Sequence, residues 1–373
     1  MPPPAADRLI RILQAPHEAA RLSLGQWEQL VSVARGGNVV GTLGERLALA
    51  GVAVPENVDR HLVGAVQLSQ RQRESVRWEA HQLGRALRHL DIPVVLLKGS
   101  AYVLGDVPVS RGRLFGDIDI LVPRDSLGDV EVAMMAGGWT SAKQNAYDQR
   151  YYRQWMHELP PMVNVRRGTV LDIHHTLLPL TSRYHPDPQK LFAASLELPG
   201  LAPLRIPSPL DLIIHSITHL FHEGEFHNGL RDLTDIDGLI RHFADSIPDF
   251  WSALLARAGE LQLSPPLFLG LHFASRLLGT PIPAAVLARA AAAGAPGPVT
   301  FRLLDGLLGQ ALLPMHPDCD SAFTPTARWL LYVRAHWLRM PPHLLAMHLG
   351  RKAWMGVFPE VAKDSRPAEP GLP

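Results

Sequence analysis

Apolar residues recur at three- and four-residue spacing from Ala5 to about Leu90, in WEQLVSVA (27–34), in ERLALA (45–50) and along a run from about Val58 to Leu90. That spacing predicts helices with one buried face. The period then changes. IPVVLL (92–97) is a short continuous apolar run rich in β-branched residues, and it reads as a buried strand ending in KGS. A short helix is expected to start near Ser100, with a loop from Gly105 to Gly112. DIDILV (117–122) alternates, so Ile118, Ile120 and Val122 point one way and Asp117 and Asp119 the other. PRDSLGDVEVAMMAGGW (123–139) reads as a helix with Asp125 or Ser126 near its cap and Gly137-Gly138 at its end. YYRQWMHE (151–158) and MVNVRRGTVLDIHHTL (162–177) read as strands, the second pair turning at Arg167-Gly168. From about Pro207 the helical period returns, and the last fifteen or so residues have the composition of a disordered tail. The pattern predicts an α+β chain with a helical N-terminal segment (1–90), a core carrying a small mixed sheet (91–206), a helical C-terminal domain (207–355) and a tail (356–373).

Two like charges on one face of a core strand are costly. Asp117 and Asp119 stand roughly 7 Å apart on the same side, and paired anions in a half-buried place repel. A divalent cation between them removes the conflict, and hard cations such as Mg²⁺ take carboxylate and phosphate oxygens. VLDIHHTL offers a third carboxylate, Asp172, on another apolar strand, with His174 on the same face and Leu171, Ile173 and His175 on the other. Lys98-Gly99-Ser100 follows a strand and opens a helix, where glycine lets a phosphate approach and serine and free amides can hold its oxygens. Three carboxylates beside such a turn are the parts of a two-metal site for in-line displacement at phosphorus.

Composition narrows the classes. The 373-residue chain has a formal net charge of +1, so no global basic excess announces a nucleic-acid binder. Its single cysteine, Cys319, rules out an intrachain disulfide and fits a reducing, cytoplasmic setting. The start, MPPPAADRLI, lacks the apolar core of a signal peptide, and the most apolar windows are broken by Pro, His and Arg. Thirty-one arginines against five lysines suggest a GC-rich bacterial genome and make Lys98 conspicuous.

The combination KGS…R…GDIDILV…LDIHHTL resembles the polymerase-beta-type nucleotidyltransferase superfamily, and more narrowly its uncharacterised bacterial nucleotidyltransferase proteins. The similarity runs from about residue 25 to about residue 350, through Ile92–Gly99, Arg113–Val122, Leu171–His175 and LRDLTDIDGLI (230–240). The resemblance implies a polymerase-beta-like core, with Asp117, Asp119 and Asp172 binding Mg²⁺ (or Mn²⁺) as the catalytic carboxylates. It implies that Gly99 and Ser100 touch the β- and γ-phosphates of an NTP, ATP by default, and that Lys98 and Arg113 neutralise phosphate charge. The acceptor is not identified by the sequence: a small molecule, a peptide and a protein are all open, and the near-neutral charge makes a tRNA the less expected choice. The stretch GDVPVSRG (105–112) makes the interval from Ser100 to Asp117 longer than in minimal members of that superfamily.

Other features carry weaker expectations. Arg231 and Asp235 lie at i, i+4 and suit either substrate binding or docking across the cleft, the plain alternative being a salt-bridged helix. His174 can orient a carboxylate or touch substrate. His215, His219 and His222 share a helix face but lack the glutamate of an HExxH zinc motif, so cleft lining or packing is expected. The run 327–354 holds Trp329, Trp337, Trp354, Arg328, Arg334, Arg339, Arg351 and Lys352, which suit packing more than a membrane or RNA surface. The competing functions are another DxD metal enzyme, such as a phosphatase or a glycosyltransferase, and an inactive nucleotide-binding accessory protein.

Overall fold

The structure is a computed structural model that describes residues 3–142, 146–224 and 226–340. Seven strands form one mixed sheet: β1 (Val94–Leu97), β2 (Asp117–Leu121), β3 (Trp139–Ser141), β4 (Met162–Asn164), β5 (Val170–His174), β6 (Leu196–Glu197) and β7 (Leu204–Ile206). Their spatial order is β3-β4-β5-β2-β1-β7-β6. β1 runs antiparallel to β2, and β5 runs parallel to β2 in the register Asp117↔Val170, Asp119↔Asp172 and Leu121↔His174. The alternation read from the sequence holds, since Ile118, Ile120, Leu171 and Ile173 are all buried.

The helical segments enclose this sheet. The helix Glu56–Leu87 packs against the helices Lys98–Leu104 and Leu127–Ala136 that flank the strands, and helices Pro209–Glu223, Gly229–Ala244 and Ser264–Leu278 pack on one another. Buried apolar residues from the N-terminal helices, the sheet and the C-terminal helices form one continuous core. Among the described residues no helix is long and apolar enough to cross a membrane.

The segment GDVPVSRG is a wedge between the two helical parts. It turns through a 3-10 helix at Pro108–Ser110. Gly112, at φ +71°, meets Gly41 so closely that a methyl group on either residue would overlap the other's backbone.

One expected element differs. YYRQWMHE carries aromatic residues that favour strands, yet Ala146–Trp155 is a helix. Arg153 there bonds Gln149 one turn back at 3.1 Å and pairs with Glu131 at 2.6 Å, and these contacts hold the helical alternative. β3, β6 and β7 are two or three residues long, too short to leave a periodic signal. The tail at 356–373, with Arg351, Lys352 and Trp354, lies outside the described residues. In the described helix Thr324–Arg339, Trp329 and Trp337 are exposed, while Arg334 donates to the Phe221 carbonyl at 3.0 Å and Arg328 pairs with Asp320.

Candidate functional site

Register places the acidic residues. Asp119 and Asp172 sit directly opposite on parallel neighbours, so both side chains leave the same face about one strand spacing, roughly 4.8 Å, apart. Asp117 is two residues earlier on that face. One ligand oxygen from each of Asp117, Asp119 and Asp172 can be chosen so that all three lie within 4.8 Å of one another. Asp172 Oδ1 is buried and has no hydrogen-bond partner. A buried lone pair without a donor, facing two other carboxylates, fits a divalent cation with oxygen ligands.

Charge is distributed unevenly over the three. Asp119 is almost fully buried, and burial alone would push its carboxyl up. Lys98 Nζ and His174 Nε2, each 3.0 Å from Oδ1, reverse that and hold it far below the usual carboxylate range. Both contacts use the same oxygen, Oδ1. Asp117 lies at the exposed rim, and its carboxyl is raised by the charge on Asp119 and then by burial. Burial pushes Asp172 up to about 7, helped by Asp119 and Glu158. A cluster of one firmly ionised and two reluctant carboxyls is a site in want of positive charge.

The KGS turn does two jobs. Lys98 is a non-glycine residue at φ +46°, a conformation that costs an L-residue about 1–2 kcal/mol. The turn aims its ammonium at Asp119. Gly99 has no room for a side chain, because a Cβ would come within 2.7 Å of Arg113 Nη1 and of the Phe115 ring. Ser100 points inward: it is buried and its hydroxyl donates to the Leu97 carbonyl at 2.7 Å. It closes the turn, whereas Lys98 and Gly99 line the cleft.

Arg113 lines the same cleft but is committed to a partner. Its Nε donates to Asp235 Oδ2 at 2.7 Å, both groups being buried, and its guanidinium lies 5.0 Å from the Phe115 ring. Its carbonyl accepts the Ser69 hydroxyl at 2.8 Å. Arg113 thus joins the sheet to the long N-terminal helix and to the C-terminal helix Gly229–Ala244. Of the two options for the Arg231/Asp235 pair, Asp235 makes the docking contact. Arg231 folds back onto Asp232 at 2.7 Å and faces the cleft.

The histidine helix divides its roles. His219 lines the cleft. His215 is buried and its imidazole is pushed down to about 3 by burial and by Lys98. His222 sits 3.0 Å from the Ser182 hydroxyl. The three form no metal-ligating group among the described residues.

The sequence reading missed His157 and Glu158. They end the segment read as a strand, and an isolated antiparallel bridge pairs Glu158 with His174. Their only signal was an MHE run preceding the hairpin partner of the Asp172 strand. With His219, Tyr152 and Arg339, they line a cleft of about 460 Å³ that opens onto all three aspartates.

Searches of curated proteins and of solved structures return no match to this chain. A family model does match, over residues 23–279, which takes in the KGS turn, both acidic strands and the Arg231/Asp235 helix. The chain belongs to the family described as uncharacterised nucleotidyltransferase.

Proposed function

We propose that the protein moves a nucleoside monophosphate, AMP by default, from an NTP to a hydroxyl or similar acceptor and releases pyrophosphate, on a polymerase-beta-like core. The observation that carries the reading is the convergence of Asp117, Asp119 and Asp172, from two strands about fifty residues apart in sequence, onto one patch of a cleft. Family membership supports the same class.

Asp117, Asp119 and Asp172 would hold Mg²⁺ or Mn²⁺, which when bound neutralises charge on the triphosphate and on the leaving oxygen. The remaining work falls to this chain. The small Gly99 lets phosphate oxygens approach the backbone of the turn, and Arg231, which lines the same cleft, supplies guanidinium charge once it exchanges Asp232 for phosphate. The acceptor oxygen bonds to the α-phosphorus as the bond to the bridging oxygen of pyrophosphate breaks, and the acceptor's proton passes to Asp172. Asp172 is suited to that transfer by position, since its buried Oδ1 has no hydrogen-bond partner within the protein. Lys98 and His174 keep Asp119 ionised throughout.

The test is to incubate the purified protein with each of four α-labelled NTPs, Mg²⁺ and a lysate of its host, and to ask what becomes labelled. Transfer is expected from one or more NTPs and is lost in the Asp117→Ala/Asp119→Ala double variant. Transfer that survives the double variant refutes the assignment.

A further inference from the structure

His174 faces two carboxylates at once. Its Nε2 lies 3.0 Å from Asp119 Oδ1, and its Nδ1 lies 3.4 Å from Glu158 Oε2. A neutral imidazole has a single N–H. With Nε2 turned to Asp119, Nδ1 faces the Glu158 carboxylate, and either a second proton or a cation can occupy the space between them. His157 adds a third donor atom, its Nε2 standing 4.0 Å from the same Glu158 oxygen. The two imidazole rings are 5.1 Å apart and tilted by 31°. One ligand atom from each of His157, Glu158 and His174 can be chosen so that all three lie within 4.8 Å of one another.

The spacing is informative. Donors held about 2.0–2.1 Å from a tetrahedral ion stand roughly 3.4 Å apart, and Glu158 Oε2 sits at 3.4 and 4.0 Å from the two nitrogens. The backbone builds the cluster from two segments. His175 N donates to the His157 carbonyl at 2.8 Å, and Leu159 N donates to the Ile173 carbonyl at 2.8 Å, clamping His157-Glu158 along β5. Both histidines are buried, so their orientation is set by packing.

We propose that His157, Glu158 and His174 form a second cation site, separate from the three aspartates, for a borderline first-row cation of the Zn²⁺ class. Two imidazoles and one carboxylate favour such an ion over Mg²⁺, which prefers an all-oxygen shell. His157 and Glu158 line the cleft, so a coordination place not filled by the protein opens toward it. The Asp119–His174 bond would fix the tautomer that leaves Nδ1 for the ion. The site stands on its own geometry and does not rest on the transferase reading.

The experiment strips the full chain with EDTA, saturates it with Mg²⁺ and titrates Co²⁺ as a spectroscopic stand-in for Zn²⁺. One equivalent is expected to give the intense visible bands of a tetrahedral site, and added Zn²⁺ is expected to bleach them. His157→Ala and the near-isosteric Glu158→Gln should each weaken binding by about tenfold or more, while Asp117→Asn and Asp172→Asn should keep the bands. Thermal midpoints without metal report whether each variant is folded, and the isosteric variant serves if His157→Ala is not. Absence of bands in the wild type, or bands that survive both cluster substitutions, would overturn the proposal and leave a proton between His174 and Glu158. Bands lost only in the aspartate variants would overturn it too, by placing the ion at the triad.

Discussion

Neutralising Asp172 should stabilise the metal-free protein, which is unusual for a substitution at a candidate catalytic residue. The folded carboxyl titrates at about 7 against an ordinary value of 3.8. Where the native state holds a proton that the unfolded state has released, stability falls as pH rises. The penalty therefore grows from about pH 4 and is complete above about pH 7. That difference corresponds to an upper limit of ~4 kcal/mol. Asp172 is part-exposed and screened, so about 2 kcal/mol is the working figure. With an unfolding entropy of ~2.1 cal/mol/K per residue, a chain of this length gains roughly 2–3 °C in Tm from that amount. The assay is calorimetry or dye-monitored melting of wild type and Asp172→Asn in EDTA between about pH 5 and pH 8.5, then with Mn²⁺. The variant should melt higher at the alkaline end, by a margin that shrinks toward about pH 5. Mn²⁺ should raise the wild type more than the variant. If Asp172→Asn is no more stable than wild type at about pH 8 without metal, or if Mn²⁺ raises both equally, the three-carboxylate cluster is not a cation site.

Further outcomes follow from single contacts. Asp235→Ala leaves the buried Arg113 guanidinium unpaired and should cost about 3–5 kcal/mol in urea unfolding; a loss below ~1 kcal/mol would mean that the pair does not join the sheet to the C-terminal helices. Gly99→Ala drives a methyl group into Arg113 and the Phe115 ring and should cost about 1–3 kcal/mol in urea unfolding; unchanged stability would mean that the turn yields without disturbing the Arg113–Asp235 pair. Lys98→Met removes the ammonium that, with His174, holds Asp119 ionised, so label transfer should fall by about 10²-fold and recover in part toward higher pH. Trp337→Ala, on an exposed face where Arg183 lies 5.1 Å from the ring, should change Tm by under about 1–2 °C.

Local spacing decided a good deal of this protein. The switch from a three-to-four-residue period to β1, the two-residue alternation that put Asp117 and Asp119 on one face, and the return of helices after Pro207 are properties of short windows. Burial of every second or third side chain writes them directly into the chain. The acidic motif and the KGS turn could be read for the same reason. What lay between distant segments could not. That Asp172 stands opposite Asp119 depends on the parallel register of β5 on β2, which the burial of Ile118, Ile120, Leu171 and Ile173 selects. That Ser100 turns inward, that Arg113 is held by Asp235, and that His157 and Glu158 reach His174 all depend on which helices cover the sheet. Ala146–Trp155 is helical because Arg153 and Gln149 find partners there, against an aromatic composition that favours strand. Periodicity records which side of an element is buried, whereas the partner on that side is settled by the packing of the whole chain around one core.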